Sequence, residues 1–440
     1  MKEDLARTLD HLVGEGFAEV EVYARRGRSR RLEIGLAQRG ASFHQEQGWA
    51  VRAGGDRSSL FASGTGPPPT VGPWPEADGW ALRLPDPAST DDAWSEPADL
   101  DAPLIGETEG LRWLSRLEQG LHQELPTAKL VRAVLEDGSS ESRINSTRGI
   151  ATAYRRRLAA LRLEAVLEAE GRLAAATLYV AEREARKLDG AALGRRLADR
   201  LTVGATGRPV ERDRGELLLA PEVATALLHG LLPLLVGPRA GARLAGMRDG
   251  RGRIASDALT VVDDGRWPGG LCAAAVDGEG LPTRRIPLIA QGHFGQPLLA
   301  WHQQQDGEGQ ASGCSRRASW RDLPIPGPTH LAILPDPAVA VSSLLADIAR
   351  GYYFIDASGP ARLSPDGSRF ALPAAGFLLQ SGKATAPVRG AVITGTISAL
   401  LRGVQAVARD LTFLPLDGMI GSPTLLLSGL EVHADDGRGP

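Results

Sequence analysis

A chain of 440 residues is too long for one ordinary hydrophobic core, so about two or three domains are expected. With 42% hydrophobic and 23% charged residues it has the composition of a folded globular protein. Its net charge of -3 excludes a non-specific nucleic-acid binder, which needs clustered positive charge. Local basic runs, Arg25-Arg26, Arg30-Arg31 and Arg155-Arg156-Arg157, read as solvated faces. Cys272 and Cys314 are the only cysteines, which is no disulfide framework and fits a reducing compartment. Glu3 and Asp4 stand where a signal peptide would be basic and then apolar. The most apolar run, Val223 to Val236, is broken by His229 and Pro233 and falls short of the ~20 residues of a membrane span. A soluble, cytoplasmic protein without a membrane or nucleic-acid partner is the expectation.

In chain order, Leu5, Leu9, Leu12 and Val13 share a helical face that Gly14 and Gly16 end. The period then changes to two: Ala18, Val20, Val22 and Ala24 alternate with polar residues, and Leu32, Ile34 and Leu36 repeat the pattern. Further strands are expected around Trp49–Ala53 and Leu60–Ala62. A helix followed by antiparallel strands is an α+β layer. The prolines from Pro67 to Pro97 make 65–103 a long connection that closes an N-terminal domain over 1–103.

A central domain is expected over 104–210. Leu111–Leu125 reads as a helix, Val131–Leu135 as a strand and Asp137-Gly138 as its turn. Over Tyr154–Leu188, the Ala, Leu, Arg and Glu content favours helix, whereas Gly171 permits a hairpin, and both stay open. Asp189–Leu201 is a helix candidate. The segment 211–440 is expected to be a large, mainly antiparallel β-rich domain with a few helices. Its strands are Leu217–Ala220, Leu259–Val262, Ala273–Val276, His330–Leu334, Gly351–Ile355 and Thr424–Leu430. Its helices are Glu222–Leu235, Val339–Arg350 and Ile397–Ala408.

The chemistry-bearing motifs are sparse. A zinc hydrolase needs two histidines on one helical face plus a carboxylate. His229 lies on a suitable helix, but Gly230 follows it where Glu is needed, and Pro233 and Leu234 fill the next turn. The other histidines are scattered, and all eight read as core or surface residues. There is no G-x-S-x-G elbow. Gly376 to Lys383 departs from a phosphate loop in spacing and lacks the Ser/Thr after Lys, so Ser381-Gly382-Lys383 reads as a turn. The densest polar cluster is Asp277-Gly278-Glu279-Gly280-Leu281-Pro282-Thr283-Arg284-Arg285. It is either a salt-bridged turn or a loop that positions a peptide or a partner chain.

These residues also carry a resemblance. Asp277 to Arg285 is similar to the D-x-E-G-x-P-T-R-R loop of the TldD/TldE (PmbA) family, once described as modulators of DNA gyrase. Six other segments resemble family motifs in the same order: Gly48–Arg52; Asn145–Gly149, with one residue inserted; Gly313–Arg316; Gly351–Tyr353; Gly376 with Gly382-Lys383 and Pro387-Val388; and Ser422–Thr424 with Leu430. One departure is Gly367-Ser368-Arg369-Phe370 in place of the family's G-D-F-S, which points to a specialised member such as one serving a peptide natural-product pathway.

The resemblance implies one of two subunit types. The TldD type carries HExxxH and a C-terminal Cys ligand. Here Leu227–Pro233 and Met419–Pro423 lack the Glu, the second His and the Cys, so the resemblance implies the zinc-less TldE type, with no catalytic or metal residue of its own. Its expected partner is a TldD-type zinc metalloprotease subunit in a heterodimer, the zinc lying in that partner. The expected substrate is an extended unfolded or leader peptide, held through main-chain bonds at a sheet edge of the third segment. Asp277, Glu279, Gly280, Arg284 and Arg285 are expected to form the peptide-groove or partner-contact loop. The alternatives are an independent hydrolase using Cys314 or the Asp277/Glu279 pair, and a stand-alone peptide-binding module.

Overall fold

The computed structural model describes residues 2–36, 38–55, 59–71, 74, 82–87, 97–169, 171–303 and 313–435. The N-terminal half contains α1 (Lys2–Gly14), β1 (Glu19–Gly35), β2 (Arg39–Gly54), β3 (Ser59–Thr65), α2 (Glu107–Glu124), β4 (Lys129–Ser146), β5 (Ala151–Ala169), β6 (Arg172–Glu182) and α3 (Gly190–Thr206). Its strands form one antiparallel sheet in the order β3-β2-β1-β4-β5-β6. The expected division at 103 falls between β3 and β4 of this sheet, because β1 pairs with β4 from Glu21–Ser146 to Gly35–Arg132. Part of the 65–103 connection lies outside the described residues; Leu82 and Leu84 within it are buried.

Periodicity decides these elements. Helix α1 buries Leu5, Thr8 and Leu12, and Gly16 follows at φ +96°, a conformation open to glycine. Helix α2 buries Gly110, Leu114, Leu117 and Leu121 against the sheet and α3. Asp189 caps α3 by accepting from the Ala191 and Ala192 N–H groups. Over 151–182 the hairpin prevails: Leu161, Leu163, Ala165 and Leu167 are buried alternately with exposed or half-buried partners. This period of two outweighs the helical propensity of the same residues. The chain reverses at Gly171, φ +72°.

The expected turn at Asp137-Gly138 is corrected. Strand β4 runs straight through it, paired on one side with β1 and on the other with β5. Asp137 is fully buried, where it accepts the Ile105 N–H at 2.6 Å and pairs with Arg157, itself 1% exposed. The Asp-Gly signal yields to a buried ion pair.

The C-terminal half opens with β7 (Glu216–Leu219), α4 (Pro221–Gly230), α5 (Pro238–Ala245), β8 (Val261–Asp264), β9 (Arg285–Ala290), β10 (His293–Phe294), β11 (Ser315–Arg316), β12 (Ile325–Pro326) and β13 (His330–Ile333). It continues with α6 (Val341–Asp347), β14 (Arg350–Ala357), β15 (Arg362–Leu363), β16 (Arg369–Gln380), β17 (Lys383–Thr396), α7 (Ile397–Gly403), β18 (Val404–Val407), β19 (Thr412–Leu416), β20 (Gly418–Ser422), β21 (Leu425–Leu427) and β22 (Glu431–Ala434). One sheet runs β10-β9-β8-β13-β20-β19 and another β18-β21-β7-β14-β16-β17-β22, with β15 on β16. Most pairs are antiparallel; β7–β14 and β13–β20 are parallel. The α+β architecture is the one expected.

Helix α4 sits between these sheets, its Val223, Ala224, Leu227 and Leu228 in one core with Leu219 and Phe354 of one sheet and Val261 and Ile420 of the other. Several expected elements are shorter. Pro233 ends α4 early, leaving a 3₁₀ turn at Leu232–Leu234. The second half of the expected Ile397–Ala408 helix is strand β18, where Val404 and Val407 pair with β21. Arg350 opens β14 instead of ending a helix. Ala273–Val276 forms no strand; Val276 makes a single bridge to Pro282. Ser381 (φ +48°) and Gly382 (φ +74°) form the expected turn between β16 and β17. No helix among the described residues is long and apolar enough to cross a membrane.

Substituting Asp137 with Ala strands the buried Arg157 guanidinium. The expected cost is about 3–5 kcal/mol in denaturant unfolding; a loss below about 1 kcal/mol, the range of an exposed pair, would contradict this account of β4.

Candidate functional site

The Asp277–Arg285 loop lies at the seam between the N-terminal sheet and the C-terminal half. Asp277 Oδ1 accepts the Glu279 and Leu281 N–H groups at 2.9 and 3.0 Å, and Oδ2 accepts that of Ser315 at 3.0 Å. Glu279, 1% exposed, accepts the Ser315 hydroxyl at 2.5 Å and the Trp301 N–H at 3.3 Å. Its other oxygen faces Arg52 of β2 at 3.5 Å. Arg52 also binds Glu21 of β1, at 2.5 and 3.0 Å. Glu21 pairs in turn with Arg317, whose Nε donates to Gly278 O at 2.9 Å. Gly280 sits at φ +83°, and a Cβ there would lie 2.6 Å from Ile150 Cγ2, beyond the turn after β4.

Three carboxylates and two guanidiniums meet in this buried cluster, leaving one negative charge in excess. Burial and then the Glu279 charge push the Asp277 carboxyl up to about 7, against its three N–H donors. Burial also opposes ionisation of Glu21, but Arg317 and Arg52 outweigh it and hold that carboxyl below its ordinary range. Asp277 therefore takes up a proton as pH falls through about 7.

The structure thus brings Asp277, Glu279 and Gly280 together, turned inward. Arg284 and Arg285 lie apart from this cluster: Arg284 is half-buried, which lowers its pKa, and Arg285 is exposed with Nε 3.9 Å from Asp264. Cys314 is 1% exposed and its thiol donates to Leu299 O at 3.5 Å. Because the Asp277 pKa is raised on folding, its stabilisation is full below 3.8 and is lost as pH rises through about 7. Unfolding free energy measured across this window should fall with pH, and the slope should be shallower in Glu279→Gln, which removes the neighbouring charge. Parallel slopes would contradict the charge count.

His229, at the end of α4, meets the segment beside β20: its Nε2 lies 2.9 Å from Asp417 Oδ2. This is where the resemblance would place a zinc site. The donors present do not fit one. The turn after His229 carries Gly230, Leu232 and Pro233, Leu234 is buried in the core, Gly418 follows Asp417, and among the described residues no three of His, Cys, Asp and Glu converge. Gly230 is closed to a side chain, since a Cβ there would lie 2.2 Å from Ala361 O and 2.6 Å from Ala361 Cβ. Ala361 is itself tied to α4 by its N–H to Ala226 O at 3.1 Å. Gly230→Glu should bind no zinc and should lose about 1–3 kcal/mol by overpacking. Metal analysis with thermal unfolding checks this; tight zinc binding at unchanged stability would contradict it.

Beside the seam opens a cleft of about 870 Å³, continued by one of about 520 Å³. One wall is the face of the N-terminal sheet, where Gly27, Ser29, Gly138 and Ser140 form a low trough and Arg156 rises beside it. The other wall is C-terminal: Pro233, Val236, Arg316, Ile325–Pro328 and Leu416–Gly418. At the rim, β3 pairs with β2 only over Gly48–Gly54, and among the described residues no strand covers the outer edge of Arg39–Glu46. His44 and Glu46 of that edge line the cleft. The sequence analysis named an edge in the third segment and none in this sheet. The legible signals were the glycines inside β1 and β4, which mark close backbone approach, and the contrast between a long β2 and a β3 cut short by Gly66 and the prolines.

The description "PmbA/TldA metallopeptidase C-terminal domain" matches residues 212–434, about half of the chain. A metalloprotease TldD homolog of Buchnera aphidicola (Schizaphis graminum) is 24% identical over 41% of this chain and 39% of its own length. A metalloprotease PmbA of Escherichia coli O157:H7 is 24% identical over 50% of this chain and 46% of its own. The chain therefore spans less than half the length of these relatives in the matched regions. The crystal structure of TldE from Thermococcus kodakarensis superposes with a TM-score of 0.83 at 18% identity, over 98% of this chain and 100% of that one. With its C-terminal half matched to the family and nearly its whole length sharing this fold, the chain belongs to the PmbA/TldD family.

Proposed function

We propose that this chain is the zinc-less, TldE-type subunit of a two-chain peptidase whose TldD-type partner holds the zinc. The observation that carries the reading is Gly230. A carboxylate cannot be accommodated after His229 because the Ala361 backbone occupies its place, so the absence of the general-base Glu of such a site is built into the packing. A chain packed this way acts through another chain's centre. The buried Cys314 thiol and the inward Asp277 and Glu279 carboxylates argue against a separate hydrolase, since a nucleophile or general base must reach its substrate.

The substrate in this reading is an extended peptide. The open edge Arg39–Glu46 can add a strand through main-chain bonds, and the trough beside it leaves room for the side chains. Strand addition rejects folded proteins, whose backbone groups are already paired. The seam loop holds the two walls of the groove in register and takes no part in the chemistry.

Co-expression with a TldD-type chain should give a heterodimer on size-exclusion chromatography, with an interface above ~2,000 Å². About one zinc per pair is expected, retained by the partner. Separate elution at micromolar concentration, or stoichiometric zinc in this chain alone, would overturn the assignment.

A further inference from the structure

The four buried arginines each face a carboxylate: Arg52 meets Glu21 and Glu279, Arg157 meets Asp137, Arg183 meets Asp99 and Arg317 meets Glu21. Arg156 and Arg316 differ. Both are half-buried and line the cleft, one from each wall. Among the described residues neither has a carboxylate within ion-pair distance, although Arg156 Nε and Arg316 Nε and Nη2 are removed from water without a hydrogen-bond partner. An unpaired buried guanidinium nitrogen is costly, and two such side chains in one cleft call for an anion.

The surroundings sharpen the ligand. Arg156 lies over the Tyr154 ring at 5.3 Å, which supports the guanidinium without neutralising it. The two guanidiniums are near enough that burial and then the Arg156 charge lower the Arg316 pKa. The other titratable groups around them offset this charge only in part. Burial raises the Asp263 carboxyl to about 6 against the nearby Arg316 charge, so it is largely ionised at neutral pH and balances one of the two guanidiniums; its Oδ1 accepts the Thr329 N–H at 2.6 Å and its Oδ2 is buried without a hydrogen-bond partner. Burial and then the Arg316 charge hold His330 neutral, down to about 3, and Arg183 adds positive charge. Cys272 lies beside both guanidiniums and lines the same cleft. Ile325 pairs with Arg316 across β11 and β12, and a Cβ at Gly327 would lie 3.3 Å from Arg316 Cγ, so this glycine leaves the arginine stem its space.

We propose that Arg156 and Arg316 form a carboxylate-binding subsite of the cleft, which holds an acidic side chain or the C-terminal carboxylate of the extended peptide. Guanidinium N–H groups that face the cleft can donate charge-assisted hydrogen bonds to a carboxylate. The subsite rests on the peptide-binding reading above and adds a chemical preference to it. Main-chain pairing along Arg39–Glu46 is blind to sequence; the arginine pair fixes where along the cleft an acidic group comes to rest.

The test uses the full-length chain and isothermal titration calorimetry with three short peptides of one sequence. One carries Glu and an amidated C-terminus, one carries Gln and a free C-terminus, and one carries Gln and the amide. At least one acidic peptide should bind roughly tenfold more tightly than the neutral one, and which of them does so identifies the source of the carboxylate. The preference should vanish in R156M/R316M while neutral-peptide affinity and melting temperature hold, because no internal ion pair is broken. Should that variant fail to fold, R316K, which keeps the charge and loses the fork, should weaken the preference. Equal affinities in the wild type, or a preference that survives the substitutions, would overturn the subsite. N-acetylglycine separates the two readings: arginine-dependent binding of this small carboxylate without any peptide binding keeps the subsite and removes the peptide reading. Binding of no probe removes both.

Discussion

The cluster of Glu21, Arg52, Arg317, Glu279 and Asp277 is the constraint on which the rest of the molecule depends. Glu21 and Arg52 belong to neighbouring strands of the N-terminal sheet, whereas Glu279, Asp277 and Arg317 come from loops of the C-terminal half. Isolated buried charges would be prohibitive, and these are tolerated because nearly every lone pair and N–H has a partner. Such a cluster is satisfied in one geometry only. The two halves are thereby held at one angle, and the cleft between them has a defined width. Ile150 packed against Gly280, and Arg317 over the Tyr23 ring at 4.7 Å, add apolar contact to the same seam.

From that frame follows the division of labour. One wall of the cleft is a sheet face with its small residues aligned and its outer edge open; the other carries the end of α4 and the start of β20. In a zinc peptidase such a helix and strand would supply metal ligands, and here they present His229, Asp417, Pro233 and Gly418. The space after His229 is filled by the Ala361 backbone, so no side chain fits at that position. The cleft between the two walls is lined by small residues and by Arg156 and Arg316, which among the described residues have no carboxylate within ion-pair distance.

Much of this was legible in the sequence. The helical faces of α1 and α2 are local patterns enforced by burial and appear where the periodicity puts them; β1 also forms where the alternation begins, but Glu19–Ala24 is buried on both faces because Glu21 and Tyr23 turn toward the seam. The seven family-like segments were also legible, and the structure gives four of them a physical meaning. Arg52, the turn before Ile150, Asp277–Gly280 and Ser315 lie far apart in the chain and meet at the seam, where each needs the others. The failures share one cause, tertiary pairing outweighing local preference. Asp137-Gly138 looked like a turn until Arg157 was placed across from Asp137. The 151–182 segment had a helix former's composition and a strand's period, and the neighbouring β4 decides for the strand. That Asp277 and Glu279 face inward could not be read from a Gly- and Pro-rich stretch, because their partners Arg52 and Arg317 lie on other elements. The Arg156–Arg316 pair was equally hidden: Arg156 reads as one of a solvated basic run, and Arg316 only as the end of a family-like segment.

The central claim is that this chain contributes to peptide cleavage without supplying the catalytic centre. The most direct measurement is the rate of peptide hydrolysis by a TldD-type chain alone, by this chain alone, and by the pair with this chain either wild type or His229→Ala. The account predicts turnover by the pair alone, unchanged by His229→Ala and abolished when zinc is stripped from the partner. Turnover by this chain in isolation, or its loss from the pair on replacing His229, would contradict it.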